Sequence, residues 1–200
     1  MTAARVGIIG GGQLARMMQP VAINLGINLR VLCANESESA AQVIPDVSIG
    51  RHDDVAAVLE FARDCDVVTF DHEHVPAEVL NALVAAEVNL QPNPQALRFA
   101  QDKLLMRAAL TEAGIACPKW AHISNRTELE EFVLEVGWPI ILKSAKGGYD
   151  GKGVWLVSDE TQALSVISDI HNHDQEVLAE ECVNFVQELA VQIARSPHGQ

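Results

Sequence analysis

The sequence predicts an α/β fold, with a doubly wound parallel sheet at the amino terminus followed by a lobe of α+β pattern. Three observations carry that expectation. Apolar runs of strand length alternate with amphipathic stretches of helix length across residues 5–86. A glycine turn, Gly10-Gly11-Gly12, joins the first run to the first helical stretch. After Gln91-Pro92-Asn93-Pro94 the pattern changes, and a glycine- and lysine-rich loop separates two short apolar runs.

Taken in order, strand 5–10, helix 13–25, strand 28–33, helix 54–64, strand 66–70 and helix 76–86 make the parallel sheet unit. The prolines at 92 and 94 punctuate a connector, after which a helix from Pro94 or Asp102 to Ala113 runs to Gly114 and Pro118. In the second unit Leu129, Phe132, Val133 and Val136 form a stripe at helical spacing, which marks helix 126–136 as core packing. Strand 139–144, strand 154–157, helix 159–170 and strand 177–181 follow. Residues 187–195 read as one more strand and 196–200 as a hairpin turn whose return strand is missing. The 200 residues therefore read as an amino-terminal portion of a longer protein. The expected domains are 1–92 (parallel sheet), 93–117 (connector), 118–182 (lobe with the glycine-rich loop) and 183–200 (start of a second lobe).

Composition narrows the class. A hydrophobic content of 48% is ample for a core, the longest apolar runs are too short to span a bilayer, and the residues before Val6 carry no charged-then-apolar signal-peptide pattern. A cytoplasmic protein with no membrane partner is expected. Cys33, Cys65, Cys117 and Cys182 form no Cys-x-x-Cys pair, which argues for reduced thiols over a metal knuckle or disulfide framework. A formal net charge of -13 argues against nucleic acid as a partner.

The chemistry concentrates in Lys143-Ser-Ala-Lys-Gly-Gly-Tyr-Asp-Gly-Lys-Gly153. The glycines let backbone N–H groups approach an anion, and Lys143, Lys146 and Lys152 can neutralise it. This is no Walker loop, because Gly153 leads into a second apolar strand where a helix would be required. A hairpin lid over a triphosphate fits better; a solvated surface hairpin is the bland alternative. Downstream, Val177-Leu-Ala-Glu180-Glu181-Cys182-Val183 reads as a strand ending in two acids, ahead of Glu188.

Together these segments resemble the ATP-grasp family. Within it, the wording of Val6 to Met18 and of Gly147-Gly-Tyr-Asp-Gly-Lys-Gly153 resembles the N5-carboxyaminoimidazole ribonucleotide synthetases. The resemblance implies an ATP-dependent ligase of purine biosynthesis that carboxylates 5-aminoimidazole ribonucleotide with bicarbonate through carboxyphosphate. It implies that Lys103 and Lys143 contact ATP, and that Gly148, Tyr149, Asp150, Gly151, Lys152, Gly153 and Val154 form the lid. Glu180, Glu181, Cys182 and Val183 would receive adenine and Glu188 the ribose. Gly12, Gln13, Leu14 and Glu73 would meet the acceptor nucleotide, and Tyr149, Asp150 and Lys152 would serve catalysis. It further implies Mg2+ held by carboxylates beyond residue 200, so that this portion is inactive alone, and a homodimer at full length.

Other readings compete. Gly10-x-Gly12-x-x-Ala15 also satisfies a dinucleotide fingerprint, but the strand 28–33 ends without the acid that such a site wants. His72 and His74 flank Glu73 and suggest a metal, yet strand alternation would put Glu73 on the opposite side and no third ligand is evident. His171 and His173 read as a solvated helix end. Another ATP-grasp ligase, such as a formate-dependent glycinamide ribonucleotide transformylase or a biotin carboxylase, and a non-catalytic nucleotide-binding fragment remain the alternative functions.

Overall fold

A computed structural model describes residues 3–147 and 152–196. The chain divides into two compact units, 1–108 and 109–200.

In the first unit β1 (Arg5–Ile9) pairs in parallel with β2 (Asn28–Cys33) and with β4 (Val67–Phe70), and β2 pairs in parallel with β3 (Asp46–Ile49). The strand order is β3-β2-β1-β4. Helix α1 (Gln13–Leu25) connects β1 to β2, α2 (Val55–Ala62) connects β3 to β4, and α3 (Ala77–Ala85) follows β4. Adjacent residues of β1 point to opposite faces, and both faces are dry. Ile9 packs with Leu32, Phe61, Val68, Val79 and Leu83, while Ile8 packs with Ala15, Ala22, Val31, Cys33 and Ile44. Burial on both faces is why these strands read as apolar runs without alternation.

Helix ends follow local chemistry. Asp54 accepts from the N–H groups of Ala56 and Ala57 at the start of α2, at 2.9 and 3.1 Å. The connector holds two helices: α4 (Pro94–Gln101), with Asn93 as cap and proline at its first position, and α5 (Lys103–Glu112). Asp102 divides them in extended conformation, and its buried carboxylate accepts from Leu104 N and Leu105 N.

The second unit is an antiparallel sheet of order β5-β8-β6-β7, built from β5 (Trp120–Ile123), β6 (Ile140–Ser144), β7 (Val154–Val157) and β8 (Val177–Glu181). One face packs on α6 (Arg126–Val136) and α7 (Glu160–Asn172), through Ile123, Leu129, Phe132, Ile140, Leu142, Ile167 and Ala179. Ile141 and Lys143 of β6 alternate onto the other face.

Two short strands escape the sequence pattern. β3 (Asp-Val-Ser-Ile) and β5 (Trp-Ala-His-Ile) lack the continuous apolar run that marks the equally short β7, and they exist because β2 and β8 offer them a pairing edge. The expected strand 187–195 is corrected: residues 182–196 contain no strand, and Leu189, Val191 and Ile193 are exposed. An extended segment becomes a strand only by pairing, and no described strand pairs with this one. Its expected turn lies largely outside the described residues. Among the described residues no helix is long and apolar enough to cross a membrane.

Candidate functional site

Strand order in the first unit locates a crevice. The chain moves outward from β1 to β2 and β3, then returns to add β4 on the opposite side of β1, so the order reverses between β1 and β4. Ligands of open α/β sheets sit at the carboxyl ends of the strands flanking such a reversal. Here those ends carry Gly10 to Gln13 and Asp71 to His74, so two groups far apart in sequence, Gly12-Gln13-Leu14 and Glu73, follow neighbouring strands.

Asp71 joins the two segments. Its carboxylate accepts from Gly12 N at 2.6 Å and Ala15 N at 2.8 Å, capping an α1 whose own N-cap residue, Gly12, has no side chain. These amides occupy the position that binds pyrophosphate in dinucleotide folds, and here an internal carboxylate claims them. The dinucleotide reading of Gly10-x-Gly12-x-x-Ala15 thus finds its anion position filled by Asp71. Gln13 is oriented differently: Ser39 Oγ donates to Gln13 Oε1 at 2.8 Å, which leaves the amide N–H groups for another acceptor. Leu14 lies one residue along α1, 60% exposed.

Gly10 has φ +107, a conformation that strains any other residue, and a Cβ there would come within 3.0 Å of the His72 ring and of Asp71. β4 ends at Phe70, so strand alternation does not govern 71–74. The backbone there bends and brings the His72 and His74 rings to 5.4 Å, while His52 from the β3–α2 loop approaches His72 at 4.8 Å. Gln101 Nε2 donates to the carbonyls of Glu73 and Val75, at 2.7 and 2.9 Å, and fixes this loop. Among the described residues no three His, Cys, Asp or Glu side chains are arranged to hold a metal ion.

In the second unit, Lys143 and Glu180 lie diagonally across the β6–β8 pair, on the face away from the helices. Lys143 Nζ meets Glu180 Oε2 at 2.5 Å, with the side chains 22% and 5% exposed. Burying that carboxylate requires a partner charge, and Lys143 supplies it. Glu181 Oε2 accepts from Lys119 N at 3.3 Å, and Cys182 and Val183 leave the strand end toward solvent. Lys152 and Gly153 close the turn into β7, where Ser144 N donates to Gly153 O at 3.0 Å. Gly148, Tyr149, Asp150 and Gly151 lie outside the described residues. Glu188 lies in the exposed segment that forms no strand. Lys103 opens α5 in the first unit.

Sequence reasoning missed Asp71 as a cap, Ser39 as the partner of Gln13, and His52 as the companion of His72. Asp71 adjoins the histidines the sequence singles out, but its partners lie over fifty positions away. Nothing local marks Ser39 or His52.

A model of the ribonucleotide synthetase preATP-grasp domain matches residues 3–101, and one of the ATP-grasp domain matches residues 108–200. An N5-carboxyaminoimidazole ribonucleotide synthase of Mycobacterium tuberculosis is 49% identical over 195 residues, 98% of this chain and 46% of the relative. The chain therefore spans about half the length of the curated relatives it matches. Among solved structures, N5-carboxyaminoimidazole synthetase from Staphylococcus aureus, complexed with ADP, aligns with a TM-score of 0.81 at 31% identity, covering 90% of this chain and 48% of the other. The synthase of Aspergillus clavatus, in complex with ADP and 5-aminoimidazole ribonucleotide, aligns with a TM-score of 0.77 at 29% identity, covering 92% and 48%. A parallel sheet unit, an antiparallel lobe with a lysine–glutamate pair on the sheet face away from its helices, and these likenesses converge: the chain belongs to the N5-carboxyaminoimidazole ribonucleotide synthase family of ATP-grasp proteins.

Proposed function

We propose that the protein carboxylates 5-aminoimidazole ribonucleotide at the expense of ATP, in the cytoplasm and as a homodimer at full length. The Lys143–Glu180 pair, on the sheet face of the second unit away from its helices, carries this reading, because it sets an ammonium at the strand end that leads into the glycine-rich segment. Bicarbonate is a poor electrophile. Its oxygen attacks the γ-phosphorus of ATP, giving carboxyphosphate and ADP. The exocyclic amine of the acceptor then takes the carboxyl group, and phosphate leaves with the former P–O–C oxygen.

Each residue has a role in this scheme. Lys143, Lys152 and Lys103 neutralise phosphate oxygens, since phosphoryl transfer depends mainly on positioning and charge. Gly148 to Val154 close over the phosphates and keep water from carboxyphosphate. Tyr149 and Asp150 meet the acceptor at the lid tip. Glu180 to Val183 receive adenine and Glu188 the ribose, while Gly12, Gln13, Leu14 and Glu73 seat the acceptor. The domain limits are 1–92, 93–117, 118–182 and 183–200. The described residues offer no ligand set for Mg2+, and its carboxylates are assigned to no residue of this chain.

ADP release by the natural full-length protein tests the reading. It should require 5-aminoimidazole ribonucleotide and bicarbonate together. Release supported by formate and glycinamide ribonucleotide instead would make the protein a transformylase. In the same assay Glu188→Gln should raise the KM for ATP about tenfold and leave that of the acceptor alone, as expected for one lost charged hydrogen bond.

A further inference from the structure

The histidines at the β1–β4 crevice have no part in the scheme above. His72 Nδ1 accepts the backbone N–H of His74 at 3.1 Å. The ring proton therefore resides on Nε2, and the edge bearing Nε2 faces the glycine turn: a Cβ on Gly10 would lie 2.9 Å from Cδ2 and 3.0 Å from Nε2. None of the described residues accepts from Nε2. The His74 amide on Nδ1 orients the ring, and Gln101 holds the backbone that follows it through the carbonyls of Glu73 and Val75.

We propose that His72 is a ligand contact of the acceptor site, donating from a neutral Nε2–H to a ribonucleotide seated against the Gly10–Gln13 turn. The inference rests on the acceptor reading given above. Its ligand class is a phosphorylated ribonucleoside, whose hydroxyl and phosphate oxygens accept hydrogen bonds.

The surroundings keep the ring neutral. A second proton would have to displace the His74 amide from Nδ1, and it would place a cation between the His52 and His74 rings. Two acids face the other way. Asp71 has both oxygens committed to Gly12 and Ala15, and Glu73 lies 3.9 Å from His74 Nε2. Burial, then His52 and His74, hold His72 below the ordinary histidine range against the pull of Asp71 and Glu73. A neutral donor is suited to a site already lined by carboxylates, since it adds hydrogen bonding without a charge to desolvate.

The test uses the full-length protein and 5-aminoimidazole ribonucleotide. His72→Phe keeps a ring against Gly10 but removes the donor, and should weaken acceptor binding about tenfold by calorimetry while ATP affinity stays within twofold. His72→Gln places an amide N–H near the Nε2 position and should recover affinity to within about threefold. Histidine 15N spectra of the unaltered protein should show the Nε2–H tautomer at pH 7 and a shift of that nitrogen on adding the acceptor. Wild-type affinity in folded His72→Phe, equal weakness in both variants, or an Nδ1–H tautomer would each overturn the proposal. If the unaltered protein binds no acceptor at all, the functional reading fails and this inference falls with it.

Discussion

Lys143 and Glu180 couple stability to ligand capture through one contact. The ammonium that would face phosphate oxygens is also the charge that permits a glutamate to sit 5% exposed in a sheet. Removing it as Lys143→Met should cost about 3 kcal/mol in urea unfolding, near the lower end for a broken buried pair because Lys143 is partly wet. ATP affinity at full length should fall at least tenfold. Adding Glu180→Gln should restore stability without affinity; if affinity also returned, Lys143 would have no place in the nucleotide site. Cys33 makes a contrasting case. Burial first, and the neighbouring Glu38 second, push its thiol up to about 11. Iodoacetamide at pH 8 should therefore leave Cys33 intact while alkylating exposed Cys182, as peptide mass spectrometry would report.

At the scale of elements, α1 depends on a residue that follows β4. Its first turn has no acidic residue and its N-cap is a glycine, so Asp71 alone supplies the carboxylate that the helix dipole and the Gly12 and Ala15 amides require. Asp71→Ala should destabilise the chain by about 1–3 kcal/mol, and amide exchange at Gly12 and Ala15 should speed up before the rest of α1. Unchanged exchange would mean that water caps the helix as well as the carboxylate does. The loops around this contact respond to the same logic. Gln101 of α4 holds the 73–75 backbone, and Ser39 holds Gln13, so the crevice is fixed from outside its own strands.

For the whole molecule, the histidine cluster sets a pH dependence. His72 titrates below its ordinary 6.5 in the folded chain, so the unfolded chain takes up its proton first as pH falls. The contribution is complete above about 6.5 and is lost as pH drops from there through the depressed value. Thermal unfolding between pH 7.5 and 5.5 should show a declining midpoint in the unaltered chain and a flatter profile in His72→Gln. Parallel profiles would assign the decline to other groups.

Much of this protein was legible in its residues. The glycine turn, the helices of α1 and α6 and strands β2, β7 and β8 follow from period, length and breakers, because those signals act over a few neighbouring positions. Lys143 and Glu180 each stand out at their own strand end, and the ATP-grasp likeness lies in local motifs. What tertiary structure alone decided were meetings across the chain. Four-residue β3 and β5 needed an edge to pair with, while the apolar stretch 187–195, lacking one, stayed out of any sheet. Asp71 capped a helix that begins almost sixty positions earlier, and His52 came to His72 from another loop. Such contacts depend on which strands lie side by side, and that choice is made by burying both faces of a sheet at once, a property no short window of sequence contains.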